Sequence, residues 1–206
     1  MPQAPMIAET HTGMVFLVGD RAYKVKKPVV TDFLDFSTFE SRERACAHEV
    51  VLNSRLAPNS YLGIAHFAQP QGGVPEPVIV MRRHPDERRL ATMARRGDAV
   101  EPQLSAVALV LARFHGSAAR GRDVDAEARV DAITGRWQEN LAELTRYAEG
   151  VVPGLSPDTV AEINRLATDY ITGRSVLFAR RIAEHKIVDG HADLLAYLVR
   201  RLLENG

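Results

Sequence analysis

The chain has 206 residues, 26 Lys+Arg against 26 Asp+Glu, a formal net charge of zero, 46% apolar residues and 25% charged ones. That composition suits a globular protein of one domain or two small lobes, and it lacks the basic excess of a general nucleic-acid binder. A lone cysteine, Cys46, excludes a disulfide framework and a zinc site of paired CxxC motifs, and it fits a reducing, cytoplasmic compartment. No stretch approaches the ~18 apolar residues of a membrane span, and residues 1–5 carry no signal-peptide character, so no membrane partner is expected.

The first third reads as strands. Met6–Glu9 forms one, followed by a tight polar loop, Thr10-His11-Thr12-Gly13. Met14–Val18 is a continuous apolar run. Arg21–Lys26 alternates, with Ala22, Lys24 and Lys26 on one face and Tyr23 and Val25 on the other. Gly19-Asp20 between them suits a type II′ turn, so residues 14–27 are expected to be an antiparallel hairpin. Ser37-Thr-Phe-Glu40 has capping-box spacing and predicts a helix start at Ser37. Ala45, Val51, Leu52 and Leu56 supply its apolar positions, and Pro58 ends it. Tyr61–Phe67 and Pro77–Met81 read as two more strands joined by a Gly72-Gly73 turn.

The remainder reads as helices. Leu90 and Met93 mark a short one. Leu104, Val107, Ala108, Leu111 and Phe114 recur at helical spacing, as do Val130, Ile133, Trp137, Leu141 and Leu144. Ser156-Pro157 is a helix start, and that helix carries Val160, Ile163, Leu166 and Tyr170 as its apolar face and is expected to run on past Gly173 to Leu177, Phe178 and Ile182. Trp137 and Tyr147 are assigned to the core. The composition shifts near Arg82–Pro85, within a run of six arginines from Arg82 to Arg96 that reads as a solvated helix face or an anion-binding edge.

Several chemistries drop out. There is no GxxxxGK[ST], no GxGxxG after a strand and no GxSxG. His48-Glu49 opens like HExxH, but Leu52 stands where the second histidine belongs. A metal-dependent hydrolase built on His185, His191 and Asp193 finds no further ligand set. What remains is a strand lysine, Lys24, a carboxylate on the next helix, Glu49, and a distant His191-Ala-Asp193. A phosphotransferase needs such parts: a lysine for the nucleotide phosphates, a carboxylate to fix it, and an aspartate to accept the acceptor's proton. Each also has a plainer reading. Lys24 and Lys26 are readable as solvated strand lysines, and Glu49 as a surface residue. His191 is readable as a capping or buried histidine. Asp193 is readable as the N-cap of a terminal helix carrying Leu194, Leu195, Leu198 and Leu202.

The run Val15-Phe-Leu-Val-Gly-Asp-Arg-Ala-Tyr-Lys-Val-Lys-Lys-Pro28 carries a resemblance. So do Glu9-Thr10-His11, Asp32–Thr38, Leu52–Pro58, Val80-Met-Arg82 and Asp189-Gly-His-Ala-Asp-Leu194. Together they resemble the aminoglycoside phosphotransferase family of the protein-kinase-like superfamily, specifically the N-terminal domain of bifunctional aminoglycoside phosphotransferase/ATP-binding proteins. The resemblance runs from about residue 8 to about residue 196. It implies an α+β, protein-kinase-like fold. A β-rich N-lobe with one helix would occupy residues 1–83. An incomplete helical C-lobe would occupy 84–206 and end just after the HxD motif. It also implies ATP and Mg²⁺ as cofactors and a small hydroxyl-bearing acceptor. Lys24, with Lys26 as the alternative, would grip the phosphates with Glu49 as partner. Thr10 and Thr12 would line the phosphate loop, and Met81 would lie in the hinge beside adenine. Asp193 would be the catalytic base, braced by His191.

The chain also departs from the family. Ala192 replaces the usual glycine, Leu198 stands where a metal-binding side chain is usual, and no metal ligand is assigned. These departures predict an impaired phosphotransferase or a non-catalytic nucleotide- or protein-binding relative. Uncovered helical faces around Leu177, Phe178 and Ile182 would favour self-association or low stability.

Overall fold

The computed structural model describes residues 6–31, 34–68, 72–148 and 152–191. Asp193, Ala192 and the leucines after them lie outside the described residues, as does Asp32. The chain is a mixed α+β protein. Its elements are β1 (Met6–Glu9), β2 (Gly13–Val18), β3 (Arg21–Lys26), β4 (Val30–Thr31), β5 (Leu34–Asp35), α1 (Phe39–Ser54), β6 (Tyr61–Phe67) and β7 (Glu76–Arg82). A short 3₁₀ turn at Asp86–Arg88 precedes α2 (Leu90–Arg95), α3 (Glu101–Ser117), α4 (Arg122–Ala126), α5 (Val130–Tyr147), α6 (Pro157–Gly173) and α7 (Ser175–Ala183). No helix among the described residues is long and apolar enough to cross a membrane.

The chain divides into two compact units. One holds the residues up to Phe114 together with His191, and the other holds His115–Gly190. The division falls within α3; the composition shift lies near Arg82–Pro85.

In the first unit, five antiparallel strands pair in the order β1-β2-β3-β7-β6. Gly19 turns the β2–β3 hairpin at φ +56°, a conformation glycine enters without strain, and Asp20 keeps a negative φ, as a type II′ turn requires. The register puts Val15 beside Lys24 and Leu17 beside Ala22, and across β7 it puts Lys24 beside Ile79 and Ala22 beside Met81. Side chains alternate along a strand, so these residues share the sheet face that α1 packs against. The core there is Ala22, Cys46, Ala57, Tyr61, Ile79 and Met81, with Val15, Leu17, Val50 and Ile64 packed around it. A smaller cluster joins Leu56 to Val107, with Val110, Leu111 and Phe114 against it. Tyr23 points to the opposite sheet face and lies 5.9 Å from the Phe67 ring.

Two expectations for α1 need correction. Its N-cap is Thr38, whose side chain accepts from the Ser41 amide, and not Ser37. Ser37 is instead held by Asp35, whose Oδ1 accepts from both its amide and its hydroxyl. Of the expected apolar positions, Leu56 is buried just past the helix and Ala45 and Leu52 are half-buried, but Val51 is 66% exposed. The inner face carries Arg42, Cys46, Glu49, Val50 and Asn53, which is polar apart from Cys46 and Val50. Buried polar groups paired with the sheet replace the apolar stripe that helix periodicity seeks.

In the second unit, α5 packs on α6. Ser156 caps α6, accepting from the Thr159 amide, with Pro157 opening the helix as expected. Val160 and Ile171 are buried, and Trp137 donates to Asn164 at 3.1 Å. Three expectations differ here. The helix does not continue past Gly173 but breaks at Arg174, where α7 begins anew. Tyr147 is 42% exposed, not core. Leu166 and Tyr170, read as part of the apolar face, are more than half exposed, and the Arg174 guanidinium stacks 4.0 Å from the Tyr170 ring.

Candidate anion site on the sheet face

Lys24 and Lys26 point the same way because they stand two apart on β3. Their common face meets α1 at Glu49. Lys24 Nζ donates to Glu49 Oε1 at 2.8 Å, and Lys26 Nζ donates to Oε2 at 2.6 Å. One carboxylate thus holds two ammonium groups, one on each oxygen. The Lys26 side chain is 11% exposed, Glu49 16% and Lys24 27%. The Lys26 ammonium also lies 5.1 Å from the centre of the Phe36 ring, a cation–π contact.

Burial raises the Glu49 pKa, but the two ammoniums and their hydrogen bonds outweigh it and hold the carboxyl below its ordinary value. Glu49 is therefore ionised at neutral pH. Two lysines against one glutamate leave the group one positive charge in excess.

The surroundings make this group rigid. One turn before Glu49, Cys46 is fully buried, and burial first, with Lys26 and Lys24 opposing, pushes its thiol up to about 11. It is a packed thiol, not a nucleophile. Farther back, Arg42 clasps Glu76 at the start of β7 with two bonds, Nε to Oε1 at 2.5 Å and Nη2 to Oε2 at 2.8 Å. It also donates to the Phe36 and Ser37 carbonyls. This fork ties α1 to the sheet and to the segment that supplies Phe36. Sequence reading missed it, because an arginine and a glutamate 34 residues apart carry no local signal.

One turn beyond Glu49, Asn53 Nδ2 donates to the Glu49 carbonyl at 2.8 Å. Its Oδ1 is then the group facing His191 Nε2 at 3.0 Å. An amide oxygen only accepts, so His191 carries its proton on Nε2. Its Nδ1 is buried and has no partner among the described residues. His191 therefore docks on α1 through Asn53, a residue that sequence reading did not select. Asp193 lies outside the described residues.

The other expected ligands are placed as follows. The Thr10 amide and hydroxyl both donate to the Gly13 carbonyl, at 2.8 and 3.0 Å, closing the loop on itself. The Thr12 carbonyl accepts from the Lys27 amide. A Cβ on Gly13 would stand 2.7 Å from the Val25 carbonyl oxygen, so this loop comes within reach of β3 only with glycine there. Met81 is 2% exposed, its side chain in the core beside Ala22. The amides after it are engaged, Arg82 to the Ser60 carbonyl and Arg83 to the Asp20 carbonyl. Among the described residues no group of three or more His, Cys, Asp or Glu side chains could hold a metal ion. The His185 carbonyl accepts from Arg120.

No family model matches the chain. Proteins of Mycobacterium tuberculosis and Mycobacterium bovis, described as uncharacterized, are each 57% identical to it over 190 residues. The match covers 92% of this chain and 38% of each relative, so the chain spans well under half the length of the curated proteins it matches. Among solved structures, a crystal structure of WbdD aligns with a TM-score of 0.33 and 17% identity, over 54% of this chain and 25% of that one. A likeness that slight assigns no fold.

Proposed function

We propose that the sheet unit is the nucleotide-binding part of a kinase-like phosphotransferase, related to the aminoglycoside phosphotransferases. The observation that carries this reading is the Lys24–Glu49–Lys26 group: a strand lysine fixed by a helix carboxylate, with a positive charge left over. Nucleoside triphosphate is the ligand class that matches it. Its phosphates would meet Lys24, with Thr10–Gly13 as the neighbouring loop and Glu49 keeping the ammonium in place. Such lysines act by charge and position and need no covalent chemistry of their own. ATP bound here would supply the transferable phosphoryl group. The described residues offer no ligand cluster for Mg²⁺, so no step is assigned to a metal.

The second reading is a module that binds nucleotide or a protein without transfer. Leu198, which stands where the family has a metal-binding side chain, favours it. Calorimetric titration of ATP, with and without Mg²⁺, into the chain and its Lys24→Ala variant separates the two. Binding that needs Lys24 and is strengthened by Mg²⁺ supports the transferase. Binding that needs Lys24 but ignores Mg²⁺ supports the non-catalytic module. A folded chain that binds no ATP overturns both nucleotide readings and leaves a protein-binding role.

A further inference from the structure

We infer that the two lysines divide the work, and that Lys26 is a positioning residue that holds Glu49 so that Lys24 is left to meet the anion. The inference rests on the phosphate-binding reading above and says which lysine does what.

The surroundings of the two ammoniums differ. Lys26 is enclosed, with 11% of its side chain exposed, Glu49 Oε2 at 2.6 Å and the Phe36 ring at 5.1 Å. Phe36 is itself anchored, its amide on the Val29 carbonyl and its own carbonyl on Arg42. Lys24 is more than twice as exposed, at 27%, and among the described residues its hydrogen-bond partner is Glu49 Oε1. An ammonium has three N–H donors, so Lys24 has two left for a ligand.

The charge balance explains why two lysines are useful. A phosphate that drew a lone lysine away from its carboxylate would leave that carboxylate buried and unpaired, which is costly. Here Lys26 stays on Oε2, so Glu49 remains compensated while Lys24 shares its ammonium with the anion. With both lysines on one carboxylate, the arriving anion neutralises the surplus charge and need not compete for it. Arg42 and Cys46 are accounted for by Glu76 and by burial, and neither supplies a counter-charge to Lys24.

The test is amine labelling of the intact chain with an acetylating reagent, read by peptide mass spectrometry. It is run free, with tripolyphosphate and with ATP, beside the variants Lys24→Ala, Lys26→Ala, Glu49→Gln and the double variant Lys26→Ala/Glu49→Gln. The expected result is that Lys24 is labelled faster than Lys26 and is protected about tenfold by either polyphosphate. Lys24→Ala loses polyphosphate binding about tenfold or more and keeps its fold. Lys26→Ala binds more weakly and melts lower, and most of both losses is absent when Lys26→Ala is made in the Glu49→Gln background.

Protection of Lys26 with Lys24 still open would overturn the inference. So would additive losses in the double variant, or a Lys24→Ala protein that binds like the parent. Protection by tripolyphosphate and none by ATP leaves the division of labour standing and removes the nucleotide reading. Protection by neither removes both.

Discussion

Each unit places carboxylates beside cations, but in opposite surroundings. In the sheet unit, Glu49 and Glu76 meet Lys24, Lys26 and Arg42 where every side chain is less than a third exposed. In the helical unit, Arg165 reaches Glu162 and Asp169 on α6 with all three side chains more than half exposed. The bond lengths hardly differ, at 2.8 and 2.6 Å in one and 2.7 and 2.9 Å in the other. Water makes the difference. Exposed pairs are screened and exchange freely with solvent, so they add little. A pair removed from water must be satisfied by protein, and its loss leaves a stranded charge. Distance alone therefore does not mark a functional charge; enclosure and an uneven charge count do.

The largest effect should come from the apolar floor under the charged group. Ile79 is fully buried beside Lys24, so Ile79→Ala should destabilise the chain by about 4 kcal/mol in urea unfolding. Leu166→Ala on α6, at 53% exposure, should cost less than a quarter of that. Equal losses would break the contrast between the units.

Next comes Glu49→Ala, which strands two ammoniums and should cost about 3 kcal/mol at neutral pH. The same contribution has a pH signature. Folding lowers the Glu49 pKa, so the native state holds this proton less tightly than the unfolded chain. Its stabilisation is complete above the ordinary glutamate value of 4.5 and fades as pH falls through the lowered native value. The difference in stability between the parent and Glu49→Ala should narrow on acidification below that point.

A smaller effect is expected for Trp137→Phe, which leaves Asn164 without its indole donor and should cost about 1 kcal/mol. Arg165→Ala should leave the melting temperature unchanged within error, since its partners return to water. Cys46, fully buried with its thiol pushed up to about 11, should react with a thiol reagent only at the rate of unfolding. Rapid labelling of the native chain would show that the floor of the site opens.

The sequence carried the strands of the sheet unit well. The alternation of Arg21–Lys26 placed Lys24 and Lys26 on one face, and the glycine of Gly19-Asp20 placed the turn. Ser156-Pro157 likewise announced α6. The α1 helix was legible as a helix but not as to its inner face. That face holds Arg42, Glu49 and Asn53, and hydrophobic periodicity has no means of finding polar residues that are buried by pairing. The Ser37 start failed by one residue because Ser37 and Thr38 are both good caps, and Asp35 decides between them by engaging Ser37. The Glu49 partnership was expected from the parts a phosphotransferase needs and from the resemblance, not from local spacing, since nothing local links residues 25 apart. Met81 was chosen by resemblance, and its side chain is core.

Hydrogen exchange measured by mass spectrometry, with and without ATP, tests the central claim most directly because it reads both units at once. The account predicts slowed exchange in residues 10–27 and in α1 around Glu49, with α5 and α6 unchanged. Protection centred on α5 and α6, or none anywhere in a chain that stays folded, would contradict it.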